Sequence, residues 1–235
     1  MTKIRLQKFI RDSIGISRRA ADDLIRDKKV KVNDNVAELG TVIDSESDKV
    51  FLEGKELKAD KELIYVALNK PAGYITSRTD PQQRRTIYKL LPDHFAHLFP
   101  VGRLDFYTEG LIILTNDGSL AFNLTHPKFE VEKEYEVLTD RVLAKEQVAQ
   151  IEKGIKSEII NTSNAKVKIL STEHSHTLLR LTLHEGQNRE IRKIFEVFNN
   201  KVLKLKRFRI KNLRLGSLDT GQWRLLTAEE VKDLT

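Results

Sequence analysis

The amino-acid order predicts an α+β chain in two domains, and three observations carry that expectation. Segments with the period of a strand outnumber segments with the period of a helix. The two kinds do not alternate regularly, which argues against a doubly wound parallel sheet. A charged stretch, Lys58-Ala59-Asp60-Lys61-Glu62, follows a basic N-terminal quarter. Residues 1–59 therefore read as a small domain, 60–64 as a linker and 65–235 as a larger domain.

In the first domain Leu6, Phe9 and Ile10 are spaced for one helical face, and Gly15 ends that element. Ser17 can cap a second helix that carries Ala20, Ala21, Leu24 and Ile25 inward. Val30 and Val32 alternate with Lys29 and Lys31 as in a strand, turned by Asn33-Asp34-Asn35. Val50-Phe51-Leu52 reads as another short strand, turned by Glu53-Gly54. Arg18 and Arg19 sit in the first turn of the second helix, where the helix dipole disfavours cations. A phosphate-binding surface would offset that penalty. A solvated helix start is the simpler reading, but Lys3, Arg5, Lys8, Arg11, Arg26, Lys28, Lys29 and Lys31 in the same stretch favour binding.

In the second domain Leu63 to Leu68 reads as a buried strand stopped by Asn69-Lys70-Pro71-Ala72-Gly73. Residues 74–100 read as loop, with one short helix at Ile87 to Leu91 closed by Pro92. Gly102-Arg103-Leu104-Asp105-Phe106-Tyr107-Thr108-Glu109-Gly110 runs into the apolar Leu111 to Thr115 and the turn Asn116-Asp117-Gly118. That layout suits a carboxylate at the mouth of a buried strand, facing a pocket; a surface salt bridge between Arg103 and Asp105 is the plainer alternative. Tyr135 to Leu138, Val167 to Leu170 and Leu178 to Leu183 read as strands. Val148, Ile151 and Ile155 mark a helix. Ile191, Ile194, Phe195 and Phe198 share one face of another, with Arg192 about 100° from Ile191 and so at the border of the buried stripe. Over Lys201 to Arg214, Leu203, Leu205, Phe208 and Ile210 alternate with Lys204, Lys206, Arg209 and Lys211, and an extra residue at Lys206-Arg207 suggests a bulge. One apolar and one wholly cationic face would suit a nucleic-acid backbone; an edge strand guarded by lysines is the alternative. Thr227-Ala228-Glu229-Glu230 is a capping box that opens a terminal helix.

The 235 residues carry a net charge of +7. The excess of Lys and Arg suits a polyanionic partner, with solubility as the bland alternative. There is no cysteine, which excludes disulfides and thiolate metal sites and fits a reducing, cytoplasmic setting. No segment is long and apolar enough to span a bilayer. Met1 to Arg5 has no apolar run behind its charges, so no secretory signal is expected. His94 and His97, and His174 and His176, lack nearby acid ligands and read as surface or core-edge residues. No metal and no cofactor are expected. The absence of a long apolar heptad suggests a monomer.

Arg5 to Ile10, Ser17 to Ala21 and Val30 to Asn33 resemble the alpha-L RNA-binding domain named after ribosomal protein S-four. Lys28 and Asp34 stand where that family often has glycine. Nearly the whole chain resembles bacterial rRNA pseudouridine synthases of the RsuA/RluB type. The likeness rests on Asn69 to Gly73, Gly102 to Gly118, His126-Pro127-Lys128, Lys133 to Val137, Glu185 to Lys193 and Gly221 to Thr227, with Lys211-Asn212 in place of the usual Gly-Pro. It implies a catalytic domain on a mixed, mainly antiparallel sheet flanked by helices. By the same resemblance Asp105 is the catalytic carboxylate, Arg192 its pairing arginine and Tyr135 the aromatic that packs on the target uracil. Ile191 would line the pocket. Arg103 would approach the RNA and fill the gap left by the extruded base. Arg18, Arg19, Arg189, Lys204, Lys206, Arg207 and Arg209 are expected to contact RNA.

The reaction implied is isomerisation of uridine to pseudouridine in rRNA, presented free or in a ribosome assembly intermediate. Asn188-Arg189-Glu190-Ile191-Arg192 points to 23S rather than 16S rRNA, since the small-subunit branch tends to place Tyr-His at Asn188-Arg189. The rival of another class is a non-catalytic ribosome-binding or assembly factor. Glu109, four residues after Asp105, also leaves a two-carboxylate glycosidase open, although cationic surroundings suit RNA better.

Overall fold

The computed structural model describes residues 3–58 and 62–235. Two compact units are present: Met1–Ile64 with Asp93–Leu98, and Tyr65–Pro92 with Phe99–Thr235. Asp93–Leu98, expected in the second domain, groups with the first. Ala59, at the end of the expected first domain, and Asp60 and Lys61, which open the expected linker, lie outside the described residues.

The first unit begins with strand β1 (Lys3–Arg5), helices α1 (Leu6–Ile14) and α2 (Arg18–Arg26), and strands β2 (Val30–Val32) and β3 (Asn35–Val36). Strands β4 (Val42–Asp44), β5 (Val50–Leu52) and β6 (Lys55–Leu57) complete it. β1 pairs with β4, and the others form a sheet in the order β3-β2-β5-β6. Leu6, Phe9 and Ile10 of α1 and Ala21 and Ile25 of α2 are buried with Val30, Ile43 and Val50. Each large side chain so removed from water contributes about 1.5–3 kcal/mol. Gly15 closes α1 in the left-handed region at φ +69°, and its N–H donates to Arg11 O. The Ser17 hydroxyl accepts from Ala20 N at 3.0 Å, as the sequence predicts. Arg18 and Arg19 are exposed in a first turn that holds no acid. Strands β1, β3, β4 and β6 escape the sequence because each is only two or three residues long and lacks the Val-Lys-Val alternation of β2 or the apolar run of β5.

In the second unit the strands are β7 (Tyr65–Lys70), β8 (Phe99–Pro100), β9 (Glu109–Thr115), β10 (Lys133–Thr139) and β11 (Lys166–Glu173). β12 (His176–Leu183), β13 (Val202–Ile210), β14 (Leu213–Arg214) and β15 (Trp223–Leu225) follow. The main order is β11-β12-β10-β13-β9-β7-β15, with β14 on β13 and β8 on β9. Neighbours are antiparallel except β13 and β9. The sheet is therefore mixed and mainly antiparallel. Helices α3 (Gly118–Thr125), α4 (Lys145–Lys153), α5 (Glu190–Glu196) and α6 (Ala228–Leu234) accompany it. Leu120 and Leu124 of α3 and Leu234 of α6 pack with Ala67, Leu111 and Ile113 of the central strands.

Three local expectations need correction. β7 continues through Asn69 and Lys70, both buried, rather than stopping before them, because Pro71 is the first residue that cannot donate to a ladder. Asn116-Asp117-Gly118 is a helix start, not only a turn: the Asp117 carboxylate accepts from Ser119 N and Leu120 N at 2.8 and 3.1 Å. β13 is an interior strand rather than an edge strand, and its cations do not form one free face: Arg207 is buried, Arg209 is ion-paired and Lys204 is exposed. Its pairing with β10 shifts register at two places, at Phe208, since Tyr135 pairs with Arg207 and Glu134 with Arg209, and at Leu203, since Leu138 pairs with Lys204 and Thr139 with Val202. Leu205 and Arg207, two apart before the shift at Phe208, share the buried face, and that shift separates Arg209 from them.

Candidate active site

The segment before β9 is pinned at three places. The Thr76 hydroxyl donates to Leu104 O at 2.9 Å and accepts from Leu104 N at 3.2 Å. Gly73 N donates to Phe106 O at 2.8 Å, and Thr108 N to Asp105 O at 3.0 Å. Lys70, 0% exposed, donates through Nζ to Thr108 O at 2.7 Å, Pro71 O at 3.0 Å and Phe106 O at 3.4 Å. Burial draws the Lys70 ammonium down to about 8, opposed by Glu109 and then Asp105. Sequence reasoning missed this lysine; the available signal was a cation at the end of an apolar strand.

The pinned segment delivers Asp105 to a cavity of about 430 Å³. Arg103 and Asp105 line it from this segment, Tyr135 from β10, Arg189, Ile191 and Arg192 from the start of α5, and Arg207 from β13. These seven positions, spread over more than a hundred residues of sequence, converge because β10 and β13 are neighbours and α5 packs on β13. Arg189 stands before α5 with φ +53°, a left-handed conformation that costs a non-glycine residue about 1–3 kcal/mol.

Arg192 and Asp105 share the cavity without a hydrogen bond between them. Arg192 Nη1 donates instead to Val202 O at 2.9 Å. Burial lowers the Arg192 pKa, the nearby Arg189 adds to that, and Asp105 opposes it. Glu190 and Lys133 also line the cavity and were missed. Burial pushes the Glu190 carboxyl up to about 6, although it accepts from Gln187 N at 2.9 Å. Burial, followed by the charge of Arg207, pulls Lys133 down to about 8. The lining holds five cations (Arg103, Lys133, Arg189, Arg192, Arg207) against three carboxylates (Asp105, Glu185, Glu190). That balance draws an anionic substrate toward the cavity.

The remaining predicted contacts fall elsewhere. Lys204 is exposed and Lys206 half-buried, and neither lines the cavity. Arg209 is not a free cation: Nη2 bridges Glu132 and Glu134 at 2.9 and 2.6 Å, acids supplied by the segment beside β13. Glu109, the second carboxylate of the glycosidase alternative, does not line the cavity. Among the described residues no group of three or more His, Asp or Glu is placed to hold a metal. Next to the cavity-lining Thr125 and Pro127, the rings of Phe122, His126 and Phe129 pack together, and Lys128 Nζ lies 5.0 and 4.6 Å from the two phenylalanine centroids.

Comparison with known proteins agrees with this geometry. Residues 64–197 match the RNA pseudouridylate synthase family, and residues 4–50 the S4 domain. The chain is 40% identical to ribosomal large subunit pseudouridine synthase B of Bacillus subtilis, over 98% of this chain and 95% of the relative. It is 36% identical to the dual-specificity RNA pseudouridine synthase RluF of Escherichia coli, over 99% of this chain and 79% of that one. A crystal structure of a pseudouridylate synthase superposes with a TM-score of 0.72 at 34% identity, covering 99% of this chain and 100% of the other. With an S4 domain ahead of a sheet whose cavity gathers a carboxylate, a tyrosine and arginines, the chain belongs to the RNA pseudouridylate synthase family.

Proposed function

We propose that the chain isomerises one uridine to pseudouridine in large-subunit, 23S-type rRNA, with Asp105 as the catalytic carboxylate. The observation that carries this reading is the convergence of Asp105, Tyr135 and Arg192 on one cavity from three separate elements. A cavity of about 430 Å³ has room for one extruded base. The uridine must leave its stack to enter it. A carboxylate such as Asp105 serves there as nucleophile or base. Tyr135, mostly buried in β10, offers a ring for the uracil to pack on, with Ile191 beside it. Arg192 provides a positive charge that Asp105 favours. Arg103 and Arg189 meet the RNA at the rim. The exposed Phe122–Phe129 group with Lys128 provides stacking faces for neighbouring nucleotides. The Bacillus subtilis relative is named for the large subunit, which favours that substrate.

Arg18 and Arg19 contribute a second RNA contact from α2, with Lys204 and Lys206 as further cations. The chain acts as a monomer in the cytoplasm, on rRNA or an assembly intermediate. No helix among the described residues is long and apolar enough to cross a membrane. A pure assembly factor has no need for the three converging side chains.

The test is purified protein on unmodified large- and small-subunit rRNA transcripts, with any pseudouridine mapped. One site in the large-subunit transcript is expected. Product in the small-subunit transcript alone would move the substrate, and product in neither would favour a binding factor. Asp105→Asn should abolish product while RNA binding persists. Arg192→Ala should lose most activity. Arg18→Ala with Arg19→Ala should weaken binding and flatten its salt slope by roughly two, about one for each phosphate no longer neutralised.

A further inference from the structure

Arg207 is the most deeply buried of the cavity cations, and the proposed chemistry leaves that burial without a purpose. It is 3% exposed and lies in the middle of β13, opposite Tyr135 on one side and Gly110 on the other. Residues opposite each other on paired strands project to the same face, so its side chain leaves the sheet beside Tyr135. Nε donates to Leu111 O at 2.8 Å. Nη2 is buried with no partner. No carboxylate forms an ion pair with this guanidinium among the described residues, although Arg209, two positions on, has two. A buried charge without a partner is strongly unfavourable unless something else supplies the acceptor. Here the side chain lines the cavity that holds Asp105.

The chemistry identifies that acceptor. When the bond between C1′ and N1 of a uridine breaks, its electron pair stays on the base and spreads over N1, O2 and O4. The deficit at C1′ is met by Asp105, either by a bond from its carboxylate oxygen or by removal of the C2′ proton. Later C5 bonds to C1′ as the Asp105–C1′ bond breaks or, on the other route, as the proton returns to C2′; the C5 hydrogen then leaves as a proton and N1 gains one, so no oxidant or reductant enters. We propose that the Arg207 guanidinium donates to a carbonyl oxygen of the target uracil and stabilises the negative charge that builds on the detached base. The inference rests on the reading of the cavity as a uridine site. A fixed donor aimed at developing charge in a water-poor site acts mainly on the transition state.

The test uses the full chain and a short RNA spanning the uridine that mapping identifies. That position is synthesised with uracil, 2-thiouracil or 4-thiouracil, since sulfur is a weaker acceptor than oxygen. Rates are measured in single turnover at saturating enzyme, which separates chemistry from binding. Arg207→Met should slow wild-type turnover about 10- to 100-fold, the range for losing a hydrogen bond from a charged donor. One of the two thio substitutions should slow the wild-type enzyme and leave the Met variant unaffected. Arg207→Lys should recover part of the rate, and it carries the same comparison should the Met variant not fold. If neither thio substitution slows the wild type, or if the full thio effect persists in the variants, Arg207 does not contact a base carbonyl. Absence of product from wild-type protein on the uracil RNA would instead overturn the uridine reading itself.

Discussion

Replacing Lys70 by Met tests how the Asp105 segment is held. In the folded chain the ammonium is removed from water, and its pKa falls from 10.5 to about 8. A shift of about 2.5 units makes the charged form roughly 3 kcal/mol less favourable than in the unfolded chain. Against this stand the bonds to Thr108 O and Pro71 O at 2.7 and 3.0 Å. Hydrogen bonds from a charged donor contribute about 1.5–3 kcal/mol each, or about 3–6 kcal/mol together. The opposing effects nearly cancel, so Lys70→Met should destabilise the fold by only about 0–3 kcal/mol. Activity should suffer far more. The freed Phe106 and Thr108 carbonyls lie one and three residues from Asp105, and a displacement of about 1 Å at a reacting group lowers rate about 100-fold.

The assay is urea unfolding and turnover on the same preparation. pH gives an independent check. Because the folded pKa is depressed, stability present above pH 10.5 is lost as pH falls through about 8. Wild-type stability should therefore rise between pH 8 and 10.5. Lys133 has a similar shift, so the variant should keep about half of that rise. Turnover within threefold of wild type, in a folded variant, would show that Lys70 does not position Asp105.

Three further outcomes are expected. Gly110→Ala should destabilise by about 3 kcal/mol or more in urea, because φ is +105° and a Cβ would lie 2.1 Å from Arg207 O, a backbone atom with no room to yield; unchanged stability would contradict the tight β9–β13 approach. Glu190→Gln should raise stability by about 2 kcal/mol at pH 8 and by nothing below pH 4.5, since the folded pKa is raised to about 6 and stability is lost as pH rises through it; equal effects at both pH values would refute the buried carboxylate. Thr227→Ala should cost about 1 kcal/mol by removing the cap that accepts from Glu230 N at 3.2 Å. It should leave turnover intact, because α6 lines no part of the cavity.

Much of this protein was legible without coordinates where the information is local. The helical spacing of Leu6, Phe9 and Ile10, the Ser17 cap, the Thr227 capping box and the apolar run Leu111 to Leu114 each concern side chains within one or two turns or one strand. The motif around Asp105 and the Glu185 to Lys193 segment identify the family and the residues to inspect. Only the tertiary structure decided what Arg207, Arg209, Lys70 and Glu190 do. Arg207 and Arg209 are two residues apart on one strand, yet one lines the cavity with Nη2 unsatisfied and the other is neutralised by Glu132 and Glu134. That difference arises from a bulge at Phe208 and from strands more than seventy residues away. Likewise Lys70 becomes a clamp because the chain returns to it at Phe106 and Thr108. Pattern along a chain reports which face is apolar, whereas the partner and dielectric surroundings of a buried charge are set by segments that only folding brings together.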